Sequence, residues 1–446
     1  MNILEGELRL LDHKSALARR IETHTARVGV VGIGYVGLPL AVEKAKVGFE
    51  VIGFDRNATR VKQANAGVSY IRDVPGNDLA AAVEAGRFSA RAGLDGVETC
   101  DVVVICVPTP LTANRDPDIS HIRSTARALA AKLRPGQLVC LESTTYPGTT
   151  QDVLLPLLSA SGLQVGTDFF LAFSPERVDP GNKRYTTRNT NKVVGGVTPA
   201  CLEVASAFYS QTIQSVLEVS SPAVAEMTKV FENTFRAVNI ALVNEMALLC
   251  DRLGISIWEV IDAAATKPFG IMRFDPGPGV GGHCIPLDPF YLAWKAREYD
   301  FATRFIELAG ETNLKMPYFV HEKVLRTLNA AGLAPSQSNV LAIGVAYKKD
   351  IEDWRESPAL KVIELLERDG ARVTYHDPLV PSVRTGDAIR RSVALTPEAL
   401  AAADCVVVLT DHSSVDWAAV VGNARRIVDT RNATRGVADR PNVVLL

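Results

Sequence analysis

The stretch Arg27-Val-Gly-Val-Val-Gly-Ile-Gly-Tyr-Val-Gly-Leu38 contains an apolar run, a glycine-rich turn and the start of a helical segment, in that order. Its turn has the pattern Gly32-x-Gly34-x-x-Gly37, in which glycines permit a tight turn, the approach of a pyrophosphate and close packing of helix on strand. A second predicted strand, Glu50–Asp55, ends in an acid 18 residues after Gly37. That spacing is near the one at which an acid binds the adenosine ribose. The stretch therefore predicts a dinucleotide-binding βαβ unit.

The acid that ends the second strand indicates which dinucleotide is bound. Asp55 would bind the ribose hydroxyls and repel a 2′-phosphate, which favours NAD over NADP. Arg56, the next residue, weakens this preference. A glycine turn without a ligand is the alternative, and the strand–helix–strand order around it argues against that. Besides the three glycines, the predicted cofactor residues of this unit are Tyr35, Val36, Asp55 and Arg56.

Buried apolar strands continue through the first half of the chain, at 100–109 and 137–145, and the stretch 169–181 continues the pattern. Apolar strands that alternate with helices are typical of a parallel sheet, whose ligands gather beyond the carboxyl ends of the strands. We therefore expect the ligand to bind at the edge of the sheet where these strands end. The side chains at the predicted strand ends are Thr109, Ser143, Thr144, Thr145, Glu176 and Arg177.

The longest helical pattern runs from Ser221 to Leu253, with a Ser-Pro start signal and Gly254 as a stop signal. Lys229 and Asn233 lie one turn apart on it and share one face. Most lysines on long helices are solvated, but the neighbours of this one are apolar. We therefore interpret the pair as partly buried and suited to polarising a substrate oxygen. A helix of this length could also support a dimer.

A loop rich in glycine and proline, residues 276–289, carries Cys284 beside His283 and four residues before Asp288. A thiol in such a loop is a candidate nucleophile, because nearby charges change its pKa. The alternative is a small buried apolar residue. The seven cysteines are scattered and form no CxxC pair, so we predict neither a disulfide framework nor a metal site.

After a linker at 332–338 the order of strands and helices repeats, without a GxGxxG pattern. Lys348, Lys349, Asp350 and Arg355 stand in its place, so phosphates could be bound by charge instead of backbone. The predicted fold class is α/β, with two Rossmann-like, doubly wound parallel-sheet domains joined by a central helical domain with one long helix. Two nucleotides are expected to meet in a central cleft. The predicted divisions are 1–26 (a helical extension), 27–215 (NAD), 216–330 (central) and 339–446 (the second nucleotide).

Composition describes an ordinary globular protein. The 446 residues are 47% hydrophobic and 22% charged, with a net charge of −2. This balance points to neither nucleic acid nor a membrane surface as a partner. With no signal-peptide pattern and scattered free cysteines, the chain is expected in the cytoplasm.

Several motifs together give the chain a resemblance that covers nearly all of residues 27–440. They are Gly-Tyr-Val-Gly (34–37), Val-Pro-Thr-Pro (107–110), Glu-Ser-Thr-Thr (142–145), Ser-Pro-Glu-Arg (174–177), Glu-Met-Thr-Lys-Val-Phe-Glu-Asn (226–233), Gly-Gly-His-Cys-Ile-Pro (281–286), Gly-Val-Ala-Tyr-Lys (344–348) and Arg-Glu-Ser-Pro (355–358). With them the chain resembles the UDP-glucose/GDP-mannose dehydrogenase family. That family oxidises the hydroxymethyl group of a nucleotide-linked hexose to a carboxylate with two NAD⁺.

The resemblance implies roles for particular residues. Cys284 would add to an intermediate aldehyde, giving a thiohemiacetal whose oxidation leaves a thioester for water to cleave. The other implied catalytic residues are Lys229 and Asn233 at the oxyanion, Asp288 for proton and water steps, and Thr144 and Glu176 near the reacting carbon. The further implied cofactor residues are Pro108, Thr109, Thr144 and Arg355. The implied substrate residues are Glu176, Arg177, Lys229, Asn233, Arg273, Gly281 and Lys348.

The motifs also bear on the sugar. Ser-Pro-Glu-Arg-Val-x-Pro-Gly and Gly-Gly-His-Cys-Ile-Pro look like the branch that acts on UDP-N-acetylhexosamines, and residues 143–149 and 267–270 look nearest to its UDP-N-acetylglucosamine members. The resemblance thus implies a UDP-N-acetylglucosamine 6-dehydrogenase for surface polysaccharide. The long central helix predicts a homodimer or a higher homo-oligomer. UDP-N-acetylmannosamine, UDP-N-acetylgalactosamine and UDP-glucose are alternative substrates. More distant alternatives are a single-step β-hydroxyacid dehydrogenase, which needs neither Cys284 nor residues 339–440, and a non-catalytic nucleotide-binding or assembly protein.

Overall fold

The fold is taken from a computed structural model, which describes residues 3–71, 73–112, 114–179, 182, 184–282, 285–385 and 388–446, and for 3–12 the backbone alone. The chain forms two compact units, Met1–Glu232 with Trp294–Asp300 and Asn233–Ala293 with Phe301–Leu446. His283 and Cys284 lie outside the described residues.

The first unit is built on an eight-stranded sheet. Its strands are β1 (Arg27–Val31), β2 (Glu50–Asp55), β3 (Phe88–Ala92), β4 (Val102–Ile105), β5 (Gln137–Leu141), β6 (Phe169–Phe173), β7 (Lys192–Gly196) and β8 (Val216–Val219). Its helices are α1 (Ile3–Glu22), α2 (Gly37–Lys46), α3 (Ala58–Asn65), α4 (Gly76–Glu84), α5 (Ser120–Ala130), α6 (Leu155–Ser159) and α7 (Pro199–Ser210).

The strand order in this sheet is β3-β2-β1-β4-β5-β6-β7-β8. Every neighbouring pair is parallel except β6 and β7, which are antiparallel. The doubly wound parallel sheet predicted from the apolar runs is confirmed. The reversal of β7 was not predicted. It follows a connection whose described residues contain no helix, and a helix is the usual crossover between parallel strands.

The predicted N-terminal helix packs on the first unit through its second half. Leu17 and Ile21 are fully buried. Arg20 lies 2.7 Å from the carboxylate of Asp101, and Lys14 lies 2.7 Å from that of Glu203 on α7. Hydrophobic burial and these ion pairs hold the helix against the sheet domain.

The second unit contains a five-stranded parallel sheet with the order β10-β9-β13-β14-β15. Its strands are β9 (Asn339–Ile343), β10 (Arg372–His376), β13 (Cys405–Val408), β14 (Ile427–Asp429) and β15 (Val443–Leu445), with a separate antiparallel pair of β11 (Ser382–Thr385) and β12 (Ala388–Arg391). The remaining helices of the chain are α8 (Pro222–Leu253), α9 (Ile257–Ala264), α10 (Asp288–Arg297), α11 (Arg304–Ala330), α12 (Pro358–Arg368), α13 (Pro397–Ala402) and α14 (Trp417–Asn423). The second Rossmann-like sheet and the long helix are thus confirmed. Among the described helices, none is long and apolar enough to cross a membrane.

Helix α8 is fastened to the loop after β5 by a buried glutamate. Glu226 accepts hydrogen bonds from the N–H groups of Gly148 (2.6 Å) and Thr150 (2.8 Å), and from the Thr150 hydroxyl (2.7 Å). Burial raises the pKa of Glu226 to about 7, although these hydrogen bonds oppose the rise. The side chain is fully buried, so the protonation state of Glu226 affects the stability of this junction.

The raised pKa of Glu226 predicts a pH-dependent contribution to stability. Between about pH 4.5 and 7 the unfolded chain ionises this carboxyl while the folded chain keeps it protonated, so the contribution is lost as pH rises. We expect the free energy of unfolding of wild type, relative to Glu226→Gln, to fall by a few kcal/mol over that window. Urea unfolding of both proteins at several pH values measures the difference. A difference that stays constant over this range would contradict the prediction.

Candidate active site

The glycine turn after β1 is fixed at its two ends and open in the middle. Gly32 has a φ of +91°, and a Cβ there would lie 2.5 Å from the carbonyl oxygen of Cys106. A Cβ on Gly37 would lie 2.0 Å from the carbonyl oxygen of Gly32. At Gly34, by contrast, a Cβ would meet nothing within 4 Å. The turn is therefore locked against the sheet while its centre leaves room for a phosphate, which is the arrangement that a dinucleotide requires.

Asp55 ties the glycine turn to the end of β2. Its Oδ2 accepts the N–H of Ile33 (3.2 Å) and its Oδ1 accepts the N–H of Asn57 (2.8 Å). Arg60, a residue that the sequence reading missed, lies 3.7 Å from the same carboxylate, while Arg56 is exposed. The predicted ribose-binding acid thus lies beside the turn.

The predicted strand-end residues of the first unit lie at one edge of the sheet, because β1, β4 and β5 are neighbours. The hydroxyl of Ser143 donates to the carbonyl oxygen of Val107 (2.7 Å) and joins the two loops that carry Thr109 and Thr144. Both threonines are partly exposed. Tyr35 and Pro108 are exposed, and Val36 is partly so. These positions share the edge at which a doubly wound sheet binds its ligand.

Glu176, after β6, is held as a carboxylate. One oxygen accepts the N–H groups of Arg177 (2.9 Å) and Val178 (2.8 Å), and the other lies 3.3 Å from the ammonium of Lys192. Burial alone would raise the pKa of Glu176. The charge of Lys192, the Val178 N–H and the charge of Lys229 together outweigh burial and hold it below its usual range. Glu176 is therefore a hydrogen-bond acceptor and not an acid at neutral pH.

Lys192 belongs to a buried chain of charges. Its ammonium lies 3.2 Å from Glu142, and the hydroxyl of Tyr209 donates to the same carboxylate (2.7 Å). Burial raises the pKa of Glu142, while Lys192 opposes the rise. Burial would lower the pKa of Lys192, but the two glutamates raise it instead. Each of these charges depends on the others for its solvation.

In the second unit, the end of the predicted cysteine loop meets helix α8. The amide nitrogen of Asn233 donates to Asp288, the first residue of α10, at 2.5 Å, and both side chains are buried. Lys229, one turn earlier on α8, is 9% exposed, so the predicted partly buried face of this helix is observed.

The loop before Asp288 needs its glycines. A Cβ on Gly281 would lie 2.7 Å from the Glu356 carbonyl oxygen, and one on Gly282, which has a φ of +89°, would lie 2.8 Å from the ring of Tyr347. A Cβ on Gly277 would lie 2.4 Å from the guanidinium of Arg431. Close packing with these neighbours therefore fixes the loop at Gly277, Gly281 and Gly282.

Family models match three segments of the chain. They describe the NAD binding domain (26–213), the central domain (223–315) and the UDP binding domain (341–436) of the UDP-glucose/GDP-mannose dehydrogenase family. The chain belongs to this family. It is an NAD-dependent nucleotide-sugar dehydrogenase with a UDP-binding domain.

Similar proteins agree with this assignment. The UDP-N-acetyl-D-mannosamine dehydrogenase of Pyrococcus horikoshii is 36% identical over 413 residues, which are 91% of this chain and 95% of the relative. The UDP-N-acetyl-D-glucosamine 6-dehydrogenase of Pseudomonas aeruginosa is 36% identical over 79% of this chain and 83% of its own. A solved structure of the Pyrococcus horikoshii enzyme matches with a TM-score of 0.85 and 32% identity, covering 94% of this chain and 98% of that one.

Three cations that the family resemblance assigned to ligands are paired with acids in this dehydrogenase. Arg177 contacts both carboxylate oxygens of Glu232 on α8 (2.5 and 3.3 Å) and donates to the carbonyl oxygen of Asn191. Arg273 is exposed and pairs with Asp262 (2.6 Å) and Asp275 (3.0 Å). Arg355 contacts both oxygens of Asp353 at 2.9 and 2.8 Å. Their roles toward ligands remain predictions, and in this structure each supports its own loop or helix.

Sequence reasoning missed Lys192 and Glu226. Both had a signal. Lys192 begins the apolar stretch Lys192–Gly196, where a charge is unusual, and Glu226 lies three residues before Lys229 on the same helix. A charged residue within a sequence pattern typical of buried residues indicates that its charge is paired with another group.

The buried position of Lys192 predicts a large effect of its removal. Lys192→Met would leave Glu142 and Glu176 without their counter-charge, so we expect a loss of about 3–5 kcal/mol in the free energy of unfolding. Lys192→Arg keeps the charge and should lose less. The matched control is Lys14→Met, which removes a pair whose acid, Glu203, is largely exposed and should cost below about 1 kcal/mol. Urea unfolding at pH 7 measures all three, and equal losses in the two methionine variants would contradict this account.

Proposed function

We propose that this dehydrogenase oxidises the 6-hydroxymethyl group of a UDP-N-acetylhexosamine to the carboxylate, with two NAD⁺ per sugar. The observation that carries the proposal is the buried hydrogen bond between Asn233 and Asp288. It fixes a donor and a carboxylate at the end of the loop that bears Cys284. A covalent second oxidation needs such groups beside a nucleophile.

NAD⁺, when bound at the glycine turn, supplies the hydride acceptor. The thiolate of Cys284 adds to the aldehyde carbon that the first oxidation leaves, and a proton joins the oxygen to give a thiohemiacetal. Loss of a second hydride and of that proton gives a thioester. Water then cleaves the thioester, releasing the carboxylate and the thiol. An aldehyde cannot lose this hydride until a nucleophile has added, so the cysteine makes the second oxidation possible.

The surrounding residues divide the work by charge. Lys229 stabilises the oxyanion of each adduct with its ammonium. An amide nitrogen carries two hydrogens, so Asn233 can offer one to the same oxyanion while the other stays on Asp288. Glu176, ionised and held by two backbone N–H groups, accepts a hydrogen bond from substrate or water. Asp288 takes up the proton of the attacking water.

Two sugars are candidates. The motifs at 143–149 and 267–270 favour UDP-N-acetylglucosamine, which remains our first candidate. The Pyrococcus horikoshii relative, a mannosamine enzyme, matches a larger share of the chain than the Pseudomonas aeruginosa glucosamine enzyme at equal identity, which favours UDP-N-acetylmannosamine as the second. The product is a uronic acid, suited to surface polysaccharide.

We also propose which segment binds each ligand and how the protein assembles. NAD binds within 27–215, the UDP-sugar within 339–446, and residues 216–330 supply catalytic side chains and a homodimer contact. Apolar residues exposed along α8 support that contact, since a soluble helix seldom leaves such a row uncovered. The exposed residues are Val224, Met227, Phe231, Phe235, Leu242, Leu249 and Leu253.

The four-electron route predicts a defined stoichiometry. With either UDP-N-acetylhexosamine, wild type should form two NADH per sugar consumed, together with the uronic acid. Cys284→Ala should form no more than one NADH per sugar and no uronic acid, because the aldehyde cannot proceed. Absorbance at the NADH band and mass analysis of the sugar nucleotide measure both. Two NADH per sugar from the alanine variant would overturn the thioester route, and turnover with UDP-glucose alone would overturn the choice of sugar.

A further inference from the structure

The loops after β9 and β13 face each other at the switch point of the second sheet. The strand order reverses direction between these two strands. In open α/β sheets, ligands bind beyond the carboxyl ends of the strands at such a point. The loop after β9 carries Lys348, which the resemblance assigns to the sugar nucleotide, and the loop after β13 carries His412.

Asp350 and His412 join these two loops. The N–H of Asp350 donates to Nδ1 of His412 (3.1 Å). The carboxylate of Asp350 accepts the N–H and the hydroxyl of Ser413, both at 2.7 Å. Nearer the strands, the hydroxyl of Thr410 donates to the carbonyl oxygen of Ala346 (2.6 Å). The two loops therefore hold one conformation together.

The buried ring of His412 continues this chain to a third strand. Because Nδ1 accepts an N–H, the neutral ring carries its hydrogen on Nε2, which donates to Oδ2 of Asp377 at 3.1 Å. The same Oδ2 accepts the N–H groups of Val345 (2.7 Å) and Ala346 (3.0 Å). These two amides are already paired, so phosphate recognition by this loop falls to side-chain charge such as that of Lys348.

The backbone conformation of Asp350 also indicates that the contact between these two loops is functional. Its φ is +61°, a region that non-glycine residues rarely adopt. Such conformations persist where the surroundings hold them and are concentrated at ligand sites. Here the bonds to His412 and Ser413 hold it, one residue after Lys349 and two after Lys348.

We propose that His412 and Asp350 are positioning residues that hold the loop 344–350, and with it Lys348, in the conformation that binds the diphosphate of the UDP-sugar. This inference rests on the proposed function. It assigns no contact with the substrate to either residue. Their effect passes through the loop.

Two substitutions of His412 distinguish its hydrogen bond with Asp350 from its hydrogen bond with Asp377. Asn places an acceptor near the position of Nδ1 and keeps the bond from Asp350, whereas Gln reaches the position of Nε2 and keeps only the bond to Asp377. We expect His412→Gln to weaken UDP binding about tenfold, the worth of one hydrogen bond. The KM for the UDP-sugar should rise by a similar factor, with kcat and the KM for NAD⁺ little changed. The UDP affinity of His412→Asn should stay within about twofold of that of wild type.

Two further variants complete the experiment. Ser413→Ala removes one bond to Asp350 from an exposed position, where misfolding is not expected, and should weaken UDP binding less than His412→Gln does. The matched control is His321→Gln on α11, whose ring contacts Asp369 at 2.8 Å outside the loop. It should leave UDP affinity unchanged. Calorimetric titration of each full-length variant with UDP gives the affinities, and its thermal midpoint reports folding.

The outcomes distinguish the two proposals. Wild type that neither binds UDP nor reduces NAD⁺ with any UDP-sugar would overturn the proposed function. Wild type that binds UDP, with equal affinity in a folded His412→Gln, would overturn the positioning role alone. Equal losses in the Asn and Gln variants would also overturn it, because the bond to Asp350 would then not be what matters.

Discussion

A backbone N–H that is buried beyond a strand end must find an acceptor, and in this chain carboxylates supply it. An ionised carboxylate accepts two or more such bonds and gains more from each than a neutral acceptor does. The pattern recurs in loops of both units. The acids that accept loop N–H groups are Asp55, Glu176, Glu226 and Asp377. These loops are rigid because their own amides are paired with the oxygens of fixed carboxyl groups, of which Glu226 is protonated below about pH 7.

In the two Rossmann-like sheets, these hydrogen bonds from backbone N–H groups to carboxyl groups have different consequences. In the first, Asp55 fixes the edge of a turn whose centre at Gly34 is open, so backbone can approach a phosphate. In the second, Asp377 and His412 accept hydrogen bonds from the amides after β9, and the two lysines Lys348 and Lys349 are present where glycines would stand. The two sheets differ in strand order and also in the phosphate site predicted for each, which uses backbone in the first and side-chain charge in the second.

Local patterns predicted what local patterns control. The glycine turn, the acid after β2, the long helix and the second sheet all follow from short motifs and apolar runs, because periodicity and turn chemistry act over a few residues. Arg177 was assigned to substrate from a motif, while its partner Glu232 lies far along the chain on α8. Lys192 was missed because its two partners, Glu142 and Glu176, come from two other segments of the chain. Pairing across such distances depends on topology, which no single stretch of sequence contains. Cys284 lies outside the described residues, and its role as the nucleophile remains a prediction.

The reversed strand β7 has a consequence for where charge can be placed. In a wholly parallel sheet only the last residues of strands reach the ligand edge, and those positions tend to be turns. Because β7 runs against β6, with Phe173 opposite Gly195, its first residue comes to that edge beside Glu176. A lysine can therefore enter from a strand that is otherwise fully apolar, with its stem packed in the core and its ammonium at the edge. The direction of a strand therefore decides which of its ends lies at the ligand edge. If β7 ran parallel to β6, Lys192 would lie at the opposite edge, and another residue would have to supply the counter-charge of Glu176.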